Sequence, residues 1–146
     1  MKACCFFGHR DCPEGVLPLL RAAVERAILQ EGITLFYVGR EGAFDALATK
    51  VLLQMAAKYP HIQFNVVLAY HPRTPLEQGL QSRTILADGV ESVPHRFAIL
   101  RRNEWMLERS QTVIAYVTRS FGGAASFLQR ARQDGKAVIN IGEQNG

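Results

Sequence analysis

This sequence predicts an α/β fold, a five-stranded and mainly parallel sheet with helices on both faces, and three observations carry that reading. Short apolar runs alternate with stretches of helical spacing along the whole chain, the pattern of β-α-β units joined by right-handed crossovers. The run Val66-Val67-Leu68-Ala69 is apolar at every position, as a strand covered on both faces requires. Three of the apolar runs lead into glycine-bearing turns, at Gly8, at Gly39 with Gly42, and at Gly122-Gly123. In an open α/β sheet such turns gather at the carboxyl ends of the strands, where helix N-termini offer free backbone N–H groups to an anion.

The elements follow in order. Ala3 to Phe7 reads as a buried strand, and Gly8 to Pro13 as the loop after it. Leu17, Leu20, Val24 and Ile28 then fall at helical spacing, with Pro18 in the first turn and Gly32 just past the end. Ile33 to Val38 is the second strand. From Ala43, Leu47, Val51 and Met55 build the apolar face of a helix that stops before Pro60. Ile62 to Tyr70 is the third strand. Residues from about 70 to 95, broken by Pro72, Pro75, Gly79, Gly89 and Pro94, read as an irregular insertion holding at most a short strand around Ile85-Leu86. Arg96 to Arg109 returns to helix, Thr112 to Val117 is the fourth strand, Ala124 to Arg132 a helix and Ala137 to Ile141 the fifth strand. The expected strand order is 3-2-1-4-5, with a crevice at the switch point between strands one and four.

Composition narrows the class. The chain of 146 residues, 48% hydrophobic, has the size of one domain, 1–146, with one substantial core. Its apolar stretches fall well short of the roughly 18 residues a membrane span needs, and Met1-Lys2-Ala3 runs straight into a strand. The expectation is a cytoplasmic protein without membrane contact. Three cysteines, Cys4, Cys5 and Cys12, suit a reducing compartment better than a disulfide framework. Cys12, in the first loop, is a candidate reactive thiol, and no metal-ligand spacing is present. The net charge of +4 is spread along the chain, which speaks against a dedicated nucleic-acid stripe. Of the 17 basic residues 13 are arginine, whose planar guanidinium grips phosphate or carboxylate with two prongs.

Candidate ligand residues cluster at the turns. Gly8, His9 and Arg10 lie in the first β-to-α loop, where Arg10 can hold a phosphate and His9 can donate a hydrogen bond or act as acid or base. The bland alternative has His9 tying the loop and Arg10 pairing with Asp11. Gly39 and Gly42 allow close backbone approach, and Asp45 can accept from a ribose hydroxyl or from loop amides, or simply favour its helix N-terminus. Asn103 falls at helical spacing with Ile99 and Met106 and stands beside Arg102. Gly122, Gly123 and Ser126 open the helix after the fourth strand, leaving room either for a phosphate or for close packing on the sheet. Trp105 reads as core packing rather than as a stacking platform.

Taken together, the segments Phe7-Gly8-His9-Arg10-Asp11, Val38 to Asp45, Asp88 to Glu91 with Pro94, and Arg96 to Ile99 resemble the SLOG superfamily. Arg102 to Met106, Ser110, Gly122-Gly123-Ala124 and Val138 to Ile141 continue the likeness over nearly the whole chain. This Rossmann-like group includes DprA, the LOG hydrolases and the YpsA-like proteins, and the resemblance is closest to the last. It implies recognition of a nucleotide or nucleotide-derived ligand and, in the LOG branch, cleavage of an N-glycosidic bond that releases ribose 5-phosphate. Against that branch's Gly-Gly-x-Gly-Thr-x-x-Glu pattern this chain reads Gly122 to Gln129, with Gln129 in place of the acid. An amide neither stabilises an oxocarbenium charge nor serves as a base at neutral pH. Arg102 fits the arginine that precedes this turn in the hydrolases.

The leading expectation is therefore a binding protein with a regulatory or sensor role. A phosphoribohydrolase using Glu41, Asp45, Glu104 or His9 is the alternative, and DprA-like single-strand binding comes after it. By analogy the chain pairs as a homodimer, and no cofactor beyond the nucleotide-like ligand is implied.

Overall fold

A computed structural model describes residues 1–143. Six parallel strands form one sheet in the order β4-β3-β2-β1-β5-β6. They are β1 (Ala3–Gly8), β2 (Leu35–Val38), β3 (Gln63–Leu68), β4 (Thr84–Leu86), β5 (Thr112–Tyr116) and β6 (Ala137–Asn140). The helices are α1 (Leu17–Gln30), α2 (Ala43–Lys58), α3 (Ala98–Glu108) and α4 (Gly123–Gln133).

The expected five strands are thus six. The addition is β4, three residues inside the proline-broken insertion, which pairs Val66, Val67 and Leu68 of β3 with Thr84, Ile85 and Leu86. It is an edge strand whose partner lies some eighteen positions away, so no local periodicity announces it. With β4 set aside, the remaining strands run in the expected order. The rest of the insertion is built from short 3-10 turns at Gln81–Arg83, Val90–Ser92 and His95–Phe97.

Alternation along β1 splits the core into two layers. Cys4 and Phe6 pack with Leu20, Val24, Phe44 and Leu52 beneath α1 and α2. Cys5 and Phe7 pack with Trp105, Met106, Phe127 and Leu128 beneath α3 and α4. The sheet is sandwiched, the three-layer Rossmann-like arrangement, and each buried aromatic contributes about 2 to 3 kcal/mol of apolar burial. Trp105 belongs to this core, 7% exposed and edge-on to Tyr37.

The chain leaving β5 is fastened to β6 by one side chain. Asn140 at the end of β6 mimics a strand: its Oδ1 accepts from Val117 N–H and its Nδ2 donates to Val117 O, both at 3.0 Å. Among the described residues no helix is long and apolar enough to cross a membrane.

Candidate functional site

The site is built where β1 and β5 part company. His9 N–H donates to Tyr116 O at 3.2 Å, the last rung between the two strands. Thr118 N–H then donates to His9 Nε2 at 3.0 Å, so the buried imidazole ties the first loop to the chain leaving β5. An acceptor at Nε2 leaves the ring proton on Nδ1. Burial, with the Arg119 charge nearby, holds this histidine below the usual imidazole range. Its observed role is the tie.

The first and second turns are pressed together. A Cβ at Gly8 would overlap the Phe44 ring at the start of α2, and one at Gly42 would lie 2.7 Å from Arg10 Cα. Ala43 N–H donates to Arg10 O at 2.9 Å, docking α2 onto the first loop. A Cβ at Gly39 would lie 2.8 Å from both Arg102 Nη1 and Asp45 Oδ2. This turn is laid directly over a buried pair of charges.

Arg102, from α3, is 2% exposed. Its Nη1 donates to Val67 O at 3.0 Å and its Nε to Asn103 Oδ1 at 2.8 Å, while Glu41 Oε1 stands 3.9 Å from Nη1. Asp45 Oδ2 accepts Glu41 N–H at 2.8 Å. Burial pushes the Asp45 carboxyl up from 3.8 to about 6, outweighing the pull of Glu41 N–H and the Arg102 charge in the other direction. Burial likewise lowers the Arg102 pKa, with Asp45 and Glu41 opposing. The buried polar residue of α3 is therefore Arg102 rather than Asn103, which is half-buried and serves as its acceptor.

The third turn differs. Gly122 has φ +95°, a region only glycine occupies without strain. A Cβ at Gly122 or at Gly123 would meet nothing within 4 Å. Close packing on the sheet is not what these two glycines serve; the space above them is open.

A cavity of about 320 Å³ joins these parts, at the lower end of the range for small-molecule sites. Gly8, His9, Arg10, Asp45, Arg102, Asn103, Gly122 and Gly123 line it, so the fold brings together eight of the residues singled out from sequence. Glu41, weighed there as an alternative carboxylate, lines it too. Arg10 is exposed and has no ion-pair partner among the described residues. Asp11, its expected partner, binds Arg119 instead at 3.3 Å.

Other candidates stand apart. Gly39 and Gly42 lie behind the wall, in the contacts just described. Ser126 is exposed, and its N–H closes the first turn of α4 on Gly122 O at 3.1 Å. Glu104 is held by Arg130 at 3.2 Å, and Gln129 lines a neighbouring depression with Leu128 and Arg132. Cys12 is 7% exposed and its thiol is pushed up to about 11 by burial and by Asp11, an inert group rather than a reactive one. Sequence reasoning missed Arg119, a lining residue whose only signal was a cation between a strand end and a Gly-Gly turn.

No family model matches this sequence, and no curated protein matches it. Among solved structures it is similar to DNA processing protein A (DprA) from Streptococcus pneumoniae, with a TM-score of 0.68 and 14% identity. The likeness covers 94% of this chain and 49% of that one. The chain thus spans about half the length of that protein, and what they share is the fold.

Proposed function

We propose that this chain binds a nucleotide or nucleotide-derived, phosphate-bearing ligand in the cleft between the ends of β1 and β5, in a regulatory or sensor role. The observation that carries the reading is the unfilled space above Gly122 and Gly123 in the same cavity as Arg10. The first N–H groups of α4 have no intrahelical partners, and the helix dipole adds about 0.3 to 1 kcal/mol for an anion placed there. Arg10 supplies a cation that no described side chain has claimed. Glu41 and Asp45 line the same cavity, with acceptor oxygens of the kind that ribose hydroxyls seek. The resemblance to the SLOG superfamily, and to its YpsA-like members in particular, supports the same ligand class.

Thermal denaturation with a panel of nucleoside 5′-monophosphates tests this. A ligand at a hundred times its Kd adds about 2.7 kcal/mol, which for a domain of this size raises Tm by roughly 5 °C or more. A Tm unmoved by every nucleotide, or moved equally in Arg10→Glu, would remove the reading.

Hydrolysis has one observation in its favour: a buried carboxyl with a raised pKa, Asp45, facing the cleft. Against it, Gln129 lines a different depression and Glu104 is already paired. Incubation with nucleoside monophosphates should release no free base. Release that disappears in Asp45→Asn would replace a sensor with a hydrolase. DprA-like single-strand binding draws support from the net charge of +4 and from the similarity to DNA processing protein A. It requires an affinity that falls steeply with salt as counterions are released.

A further inference from the structure

One residue just outside the cleft wall extends the reading above and rests on it. Phe121 is 69% exposed, more than any other described phenylalanine, tyrosine or tryptophan. Its place is specific, two residues after Arg119 and directly before Gly122, both of which line the cleft. The Arg119 guanidinium carbon lies 5.5 Å from the Phe121 ring centroid. Asp11 holds that guanidinium at 3.3 Å, so the ring is backed by an anchored cation while most of its surface stays in water.

Neither core layer claims this ring. A lone exposed ring is ordinary on a protein surface; what sets this one apart is its position between Arg119 and Gly122, two residues of the cleft lining. What fits beside an exposed ring at the rim of such a cleft is a second flat aromatic surface. Stacking needs only a π-face, which every nucleobase has, and a guanidinium on the ring adds cation–π attraction.

We infer that Phe121 is the platform on which the ligand's base stacks, with the phosphate over Gly122 and Gly123 and the base at the rim. The ligand class narrows accordingly to a nucleotide carrying an intact aromatic base, as opposed to a sugar phosphate. Because stacking reads no hydrogen-bonding edge, purine and pyrimidine nucleotides should differ less from one another than either differs from ribose 5-phosphate.

The test compares wild type, Phe121→Ala and Phe121→Trp by titration calorimetry with AMP, CMP and ribose 5-phosphate. The exposed position lets both variants fold like wild type, and thermal denaturation without ligand checks this. Phe121→Ala should weaken AMP about tenfold and CMP somewhat less, leave ribose 5-phosphate unchanged, and be rescued by Phe121→Trp. The introduced indole should also be quenched by AMP and not by ribose 5-phosphate. Equal AMP affinity in Phe121→Ala and wild type, with both still binding, overturns the platform and leaves the cleft standing. Binding of none of the three ligands by wild type overturns both. A Phe121→Ala variant that loses self-association or oligonucleotide binding while keeping its AMP affinity also overturns the platform, and reassigns the ring to that contact.

Discussion

Gly8, Gly39 and Gly42 are hemmed in by protein atoms, whereas Gly122 and Gly123 face open space. The first set lets neighbouring parts touch: β1 meets Phe44, the second turn meets the Arg102–Asp45 pair, and Gly42 meets the backbone of Arg10. The second set touches nothing on the side where a side chain would stand. A glycine-bearing turn after a strand is thus two different devices in one molecule. The first two turns build a packed wall with buried charges set into it, and the third leaves the gap that the wall surrounds. Only the third has the openness that phosphate recognition by backbone requires.

The sharpest way to break this comparison is to add one methyl group to the packed side. Gly8→Ala would drive a Cβ into the Phe44 ring and to 2.7 Å from the Phe44 Cβ. Phe44 is fully buried and wedged beside Phe6 and Tyr116, so it has nowhere to retreat. Overpacking costs typically about 1 to 3 kcal/mol and here should reach about 3, and chemical denaturation should show it as a large drop in midpoint. A Gly8→Ala protein of wild-type stability would mean that the wall is soft.

The buried charges of the wall provide the next test. The Asp45 carboxyl is raised from 3.8 to about 6 by burial, so between those values the folded state holds a proton that the unfolded chain has lost. Stability from this group is complete below about pH 4 and declines as pH rises to 6, by on the order of 3 kcal/mol. Asp45→Asn cannot titrate. The stability of wild type relative to Asp45→Asn, measured by denaturation from pH 4 to 7, should therefore fall across that window. A flat difference would mean that the Arg102 charge and Glu41 N–H cancel the cost of burial.

How much of this was legible beforehand differs by element. The five longer strands were readable because each is an apolar run ended by a turn. β4 was not, because three residues paired at an edge carry no period of their own. The convergence of the three turns followed from the parallel topology alone. The occupant of the wall did not. Spacing picked out Ile99, Asn103 and Met106, yet the buried stripe of α3 runs through Ala98, Arg102, Trp105 and Met106. An arginine stem is long and apolar enough to lie in that stripe. Its guanidinium is satisfied partly by Val67 O on a distant strand, which helical spacing cannot reveal. Whether a glycine faces a neighbour or a void depends on tertiary contact in the same way.

The smallest structural change gives the most discriminating test of the open side. Gly123 has ordinary backbone angles for a helix start, and a Cβ there meets nothing within 4 Å, so Gly123→Ala should leave stability within about 0.5 kcal/mol of wild type. Gly122→Ala, placed at φ +95°, should lose about 1 to 2 kcal/mol through backbone strain alone. Affinity should reverse the order of concern: the alanine methyl at position 123 occupies space proposed for the phosphate and should weaken a nucleoside monophosphate about tenfold in calorimetry, in a protein otherwise indistinguishable from wild type. A Gly123→Ala variant that keeps both stability and affinity would show that the open space is merely surface, and would move the phosphate away from α4 toward Arg10 and the first loop.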